Sequence, residues 1–195
     1  MKIRSIIDIC KKSGRMMLFE NKHEQWISDG MAVYPMFNLP HFDKDTLFRT
    51  YDITDKQADK LQFTHYGKMP DAFSFEDNVV EESLINQAPS YFLDKVIPFV
   101  TSQGIEFIES KYLKPLSDID STLRIYERYS KSGQLYFAVK SGFVLVAIIL
   151  PTNFINEKFV QELEEMTKLC KLALHNKKAA NDFDFQQSMF EEDEE

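Results

Sequence analysis

The residues best placed by type and spacing to do chemistry are His41, Asp43 and Asp45, one imidazole and two carboxylates at alternate positions. In an extended segment alternate side chains share a side, so the three could offer one nitrogen and two oxygen ligands to a magnesium or manganese ion. The same aspartates also stand where a helix begins, and unpaired N–H groups there favour acids in the first turn. Helix capping is therefore the expected role. His23, His65 and His175 lie at spacings that match no zinc site, and Cys10 and Cys170 lack a neighbouring cysteine or histidine. No phosphate-binding loop, dinucleotide-binding glycine pattern, GxSxG elbow or HExxH helix occurs. No metal and no cofactor is expected, and a metal-dependent enzyme built on His41, Asp43 and Asp45 is the alternative reading.

A second kind of chemistry is suggested by charge. Lys2, Arg4, Lys11, Lys12 and Arg15 fall within fifteen residues against a single acid, Asp8. Of these, Arg4, Lys11, Lys12 and Arg15 are the candidate DNA contacts, since clustered cations release counterions from phosphate. The plainer explanation is a solvated helix face, and no interleaved aromatics suggest stacking on single strands. The net charge of −8 is unevenly spread: seven acids lie from Asp182 onward, and the rest of the chain has 24 acids against 23 bases. Acidity thus belongs to a terminal appendage.

The elements that must position these residues are legible from periodicity. Ile3, Ile6, Ile7 and Cys10 mark a short opening helix ended by Gly14. Strands are expected over 15–20, 25–28 and 31–34, with a turn at Asp29-Gly30 and closure at Pro35. A helix follows from Asp43 with Leu47, Phe48 and Tyr51 on one side, then a second begins at Thr54. Residues 64–90 hold Gly67, Pro70, Pro89 and several acids, and read as a surface loop insertion. A hairpin over 96–108 and strands at 123–129, 134–139 and 143–150 come next, joined by short turns that imply antiparallel pairing. Asn156 caps a last helix whose Phe159, Leu163, Met166, Cys170 and Ala173 form one stripe, expected to pack on the sheet, with a dimer contact as the alternative. Both cysteines lie on apolar stripes, as buried free thiols in a reducing compartment would. Pro151 follows its strand as Pro35 follows another, a weak sign of internal duplication.

These patterns predict an α+β protein, a mainly antiparallel sheet with packed helices. One domain is expected over 1–176 and a flexible acidic tail over 177–195. The longest apolar run, 143–150, is short of the roughly 20 residues that cross a membrane, and residues 1–10 lack the apolar core of a signal peptide. A cytoplasmic protein without membrane contact is expected.

The tail contains Gln186-Gln187-Ser188-Met189-Phe190. It resembles the short peptide by which bacterial polymerases and repair proteins dock on the sliding clamp. The resemblance implies that Gln186, Ser188, Met189 and Phe190 bind a partner, with Met189 and Phe190 entering an apolar groove and Gln186 bonding at its rim. Gln187 departs from the leucine that motif favours. The basic-faced opening helix, the hairpins and the late strand ending at Pro151 are similar in layout to the processivity fold of DNA clamps. That likeness covers about 1–63 and 96–165 and implies channel-facing roles for Arg4, Lys11, Lys12 and Arg15. Together they suggest a non-enzymatic accessory of DNA replication or repair, clamp-like or clamp-binding, such as bacterial viruses carry. Its partners would be a sliding clamp or polymerase, DNA, or a second copy of the chain. An acidic inhibitor that mimics DNA is a further alternative.

Overall fold

Helix α1 (Ile3–Ser13) turns Ile6, Ile7, Ile9 and Cys10 into the interior, as their helical spacing requires. It stops at Gly14, whose φ of 72° is left-handed and costs glycine little. The computed structural model describes residues 1–21, 24–89 and 95–190, without the side chains of Asn21 and of 179–190.

Beyond Gly14 the chain forms a meander of β1 (Arg15–Asn21), β2 (Glu24–Ser28) and β3 (Ala32–Pro35). The expected turn at Asp29-Gly30 is held by the Asp29 carboxylate, which accepts the Met31 and Ala32 N–H groups at 2.9 and 3.0 Å. Helices α2 (Lys44–Thr50) and α3 (Asp55–Ala58) lead into β4 (Gln62–Tyr66), which runs parallel to β1. Residues 64–89 contain the end of β4 and two short strands, β5 (Ser83–Leu84) and β6 (Asn86–Gln87), joined by irregular chain. Next come β7 (Val96–Thr101) and β8 (Gly104–Glu109), three 3-10 turns between Ser110 and Thr122, and the meander β9 (Leu123–Tyr129), β10 (Leu135–Ser141) and β11 (Val144–Ile149).

The fold is α+β with a mainly antiparallel sheet. Eight strands run in the order β4-β1-β2-β3-β11-β10-β9-β5, and β6-β7-β8 form a separate small sheet. The two meanders meet at the antiparallel pair β3–β11, with Val33 opposite Ile148. Read outward from that seam, β3, β2, β1 match β11, β10, β9; Pro35 is the last residue of one seam strand and Pro151 follows the other.

Strand pleating gives the large sheet two faces. Met16, Leu18, Leu135, Phe137 and Val139 point to the face covered by α1, α2 and the small sheet. Phe19, Trp26, Tyr136, Ala138 and Ile148 point to the other, which is covered by irregular chain carrying Met69, Phe73 and Phe75.

The chain divides into two compact units, Met1–Asn153 and Phe154–Glu195. The second is built on α4 (Glu157–Phe190), capped as expected by Asn156 Oδ1, which accepts the Phe159 N–H at 3.0 Å. Among its described side chains, Leu163, Met166, Leu169 and Leu172 are exposed. Cys170 is exposed with them, which corrects the expectation of two buried thiols. Cys10 alone is buried. Periodicity reports that one face is apolar, but burial needs something opposite it.

Candidate functional site

With its apolar stripe in the core, α1 leaves Arg4, Asp8 and Lys12 toward solvent, and Lys11 half-buried. The four basic candidates do not form one patch. Arg4 Nη2 donates to Asp52 Oδ2 at 3.0 Å, with both side chains largely exposed. Arg15 opens β1, where its guanidinium lies against Gly30; a Cβ there would meet Nη1 at 3.1 Å.

Lys12 instead lines an open groove of about 350 Å³ with Ser5, Asp8, Ser13, Lys111 and Lys114. The turns carrying the latter two lysines are tied to the start of α1, where the Lys2 N–H donates to the Pro115 carbonyl at 2.7 Å. Lys2 Nζ donates to Ser117 Oγ at 2.8 Å beside it. Lys111 is partly engaged, 2.7 Å from a Glu109 carboxylate oxygen and 4.7 Å from the centre of the Tyr112 ring. Lys111 and Lys114 escape sequence reasoning because about a hundred residues separate them from α1; the one local signal is their i,i+3 spacing.

Asp43 and Asp45 have the local role expected, at the start of α2. Asp43 is the N-cap of α2, and its Oδ1 accepts the Thr46 N–H at 2.8 Å and the Thr46 hydroxyl at 2.6 Å. Those hydrogen bonds hold the carboxyl below its ordinary pKa. Among the described residues no three His, Cys, Asp or Glu side chains group as metal ligands. Gln186, Ser188, Met189 and Phe190 fall in the last turns of α4, and their side chains lie outside the described residues.

The strongest electrostatic feature is one that the sequence reading missed. Arg128 and Lys140 are both almost wholly buried on the face under the irregular chain. Both reach one carboxylate, Glu82: Arg128 Nε donates to Oε2 at 2.7 Å, and Lys140 Nζ bonds Oε1. Arg128 spends its remaining donors on the Ser74, Glu76 and Asp77 carbonyls, and Lys140 lies 4.6 Å from the centre of the Tyr126 ring. Asp77 Oδ1 accepts the Leu145 N–H at 2.7 Å. Burial alone would raise the Glu82 pKa, but hydrogen bonds and charge from Lys140 and Arg128 outweigh it and the net shift is downward. A cavity of about 450 Å³ opens beside Arg128, lined by Phe73, Phe75, Tyr129, Lys131 and Tyr136. Because its donors are already satisfied by protein groups, Arg128 fastens 74–82 to the sheet.

Comparison with protein-family models, with curated proteins and with solved structures finds no match to this chain. No helix among the described residues is long and apolar enough to cross a membrane.

Proposed function

We propose that this chain is a non-enzymatic, cytoplasmic accessory of DNA replication or repair, which meets DNA phosphate at the α1 groove and docks its tail peptide on a sliding clamp. The observation that supports the DNA contact is the convergence of Lys12, Lys111 and Lys114 on one open groove, with Lys2 bonded at Ser117. Lysine is suited to this task as a mobile point charge that contacts phosphate without reading sequence. Of the four residues expected, only Lys12 lines the groove, so the proposed DNA-contacting set becomes Lys12, Lys111 and Lys114, with Lys2 tied beside Lys114 through Pro115. The metal-dependent alternative finds no support in the geometry, since its central carboxylate serves the α2 cap.

Binding to a short duplex should weaken with salt, log K falling against log salt by about 0.9 per phosphate contact. Lys12→Ala with Lys114→Ala should shallow that slope by about 2. A slope unchanged by the double substitution would remove the groove from the proposal. Pull-down of a bacterial sliding clamp by the full chain, abolished by Met189→Ala with Phe190→Ala, is the expected outcome for the tail. Failure of the intact chain to retain the clamp refutes that half.

A further inference from the structure

Strand β4 is the outermost strand of the eight-stranded sheet, and β1 is its one strand partner among the described residues. Backbone parity shows which of its groups are already used. The Gln62 N–H donates to the Gly14 carbonyl at 2.9 Å, so Gln62 directs its hydrogen-bonding groups toward β1. Thr64 and Tyr66 do the same by the two-residue repeat. Phe63 and His65 therefore direct their N–H and C=O groups away from the sheet.

Proteins usually guard such an edge with lysine, proline, a bulge or a very short strand. The opposite edge has the last of these, since β5 is only two residues long. Gln62-Phe63-Thr64-His65-Tyr66 has none: it contains no lysine or proline, and its register with β1 is unbroken. Tyr66 is 42 % exposed while it stacks on Phe19 at 5.0 Å.

We infer that β4 pairs antiparallel with β4 of a second copy of this chain, about a two-fold axis at Thr64. In that register Phe63 lies opposite His65 of the second copy, and each such pair exchanges both of its N–H···O=C bonds. All four outward groups are then satisfied, so the strand is its own complement. A second copy is the occupant because the strand carries no Lys, Arg, Asp, Glu or Pro to oppose its own image, while its small polar Thr64 falls on the axis. Thr64 meets its counterpart on one side of the sheet, and Gln62 lies over Tyr66 of the second copy. No two Lys, Arg, Asp or Glu side chains meet within the strand, and His65 Nε2 lies 3.0 Å from a Glu20 carboxylate oxygen. Just outside it, Lys60 faces Lys68 of the second copy, although Lys68 already holds Asp71 at 3.0 Å. Screening that repulsion predicts a dimer that strengthens as salt rises. The interface is isologous, so it closes on itself.

The test uses the full chain with Cys170→Ser, which removes the exposed thiol. Sedimentation of this chain should show a dimer. Thr64→Cys should crosslink two chains under mild oxidation, because a non-hydrogen-bonded antiparallel pair sets Cα atoms about 4.5 Å apart, within disulfide range. Val80→Cys, fully exposed elsewhere, should crosslink far more slowly. His65→Pro deletes an outward donor without touching the β1 ladder, so it should give a folded monomer. A monomeric parent chain, a dimer in which Thr64→Cys crosslinks no faster than Val80→Cys, or a folded His65→Pro that stays dimeric would each overturn the inference. Where His65→Pro does not fold, the crosslinking comparison decides.

Discussion

The two faces of the large sheet are covered by different means. On one, α1 and α2 lay apolar stripes over Leu18, Phe137 and Val139, and helical backbone satisfies its own hydrogen bonds. On the other, irregular chain from Met69 to Glu82 lies over Trp26 and Tyr136, and it has no such internal ladder. Its carbonyls at Ser74, Glu76 and Asp77 are met by one guanidinium, Arg128, and the Ser74 N–H donates to the Tyr136 hydroxyl at 3.1 Å. The difference teaches that a loop can serve as a layer of the fold when buried polar groups replace the hydrogen bonds a helix would make for itself. That substitute is all-or-none, because a buried cation without its carboxylate is worse than no ion at all.

The comparison predicts a ranking of effects. Phe137→Ala, on the helix-covered face, should cost about 3–5 kcal/mol by leaving a cavity, read by denaturant unfolding. Glu82→Ala should cost a similar ~3–5 kcal/mol although it removes no apolar core side chain, because it strands two buried cations. Its amide exchange should quicken over 74–82 before the rest of the sheet. Replacing Glu82, Arg128 and Lys140 together by apolar residues of like size should recover most of that loss. If the triple variant is no better than Glu82→Ala, the ions are stabilising in their own right and the two faces do not differ in the way their layers depend on buried charge.

Acid should act on the same face. Glu82 has its pKa lowered by folding, so its contribution is fully present above the unfolded value near 4.5 and is lost as pH falls through the lower folded value. Acid unfolding of the Glu82→Gln variant should lack that component. A smaller effect is expected at the α2 cap: Asp43→Ala should cost ~1 kcal/mol by thermal melting. Smallest is Arg4→Ala, whose exposed pair with Asp52 should change stability by less than ~0.5 kcal/mol.

What could be read in advance follows the same division. The stripe of Ile6, Ile7 and Cys10, the turn at Asp29-Gly30, the cap at Asp43 and the strands of both meanders were all legible, because each is set by neighbours within a few residues. The layer over Trp26 was not, since Pro70, the scattered acids and the absence of periodicity in 64–90 look the same whether a loop is solvated or pinned. Arg128 and Lys140 sit in strands where alternation marks them only as sharing a face with Tyr136 and Ala138. The groove is a middle case: Lys12 could be named, while Lys111 and Lys114 could not.

The sequence by itself determined the helices, the strands of both meanders, the β7–β8 hairpin and the uneven placing of charge, for these depend on local periodicity, turn chemistry and composition; β4, β5 and β6 lie where it gave no strand. Only the tertiary structure decided that β1 pairs in parallel with β4, that Lys12 meets Lys111, and that Glu82 must serve two cations. It also decided that the stripe of α4 stays exposed. Those outcomes depend on which distant segments become neighbours, and the free energy of a charge or an apolar face is set by what lies opposite it.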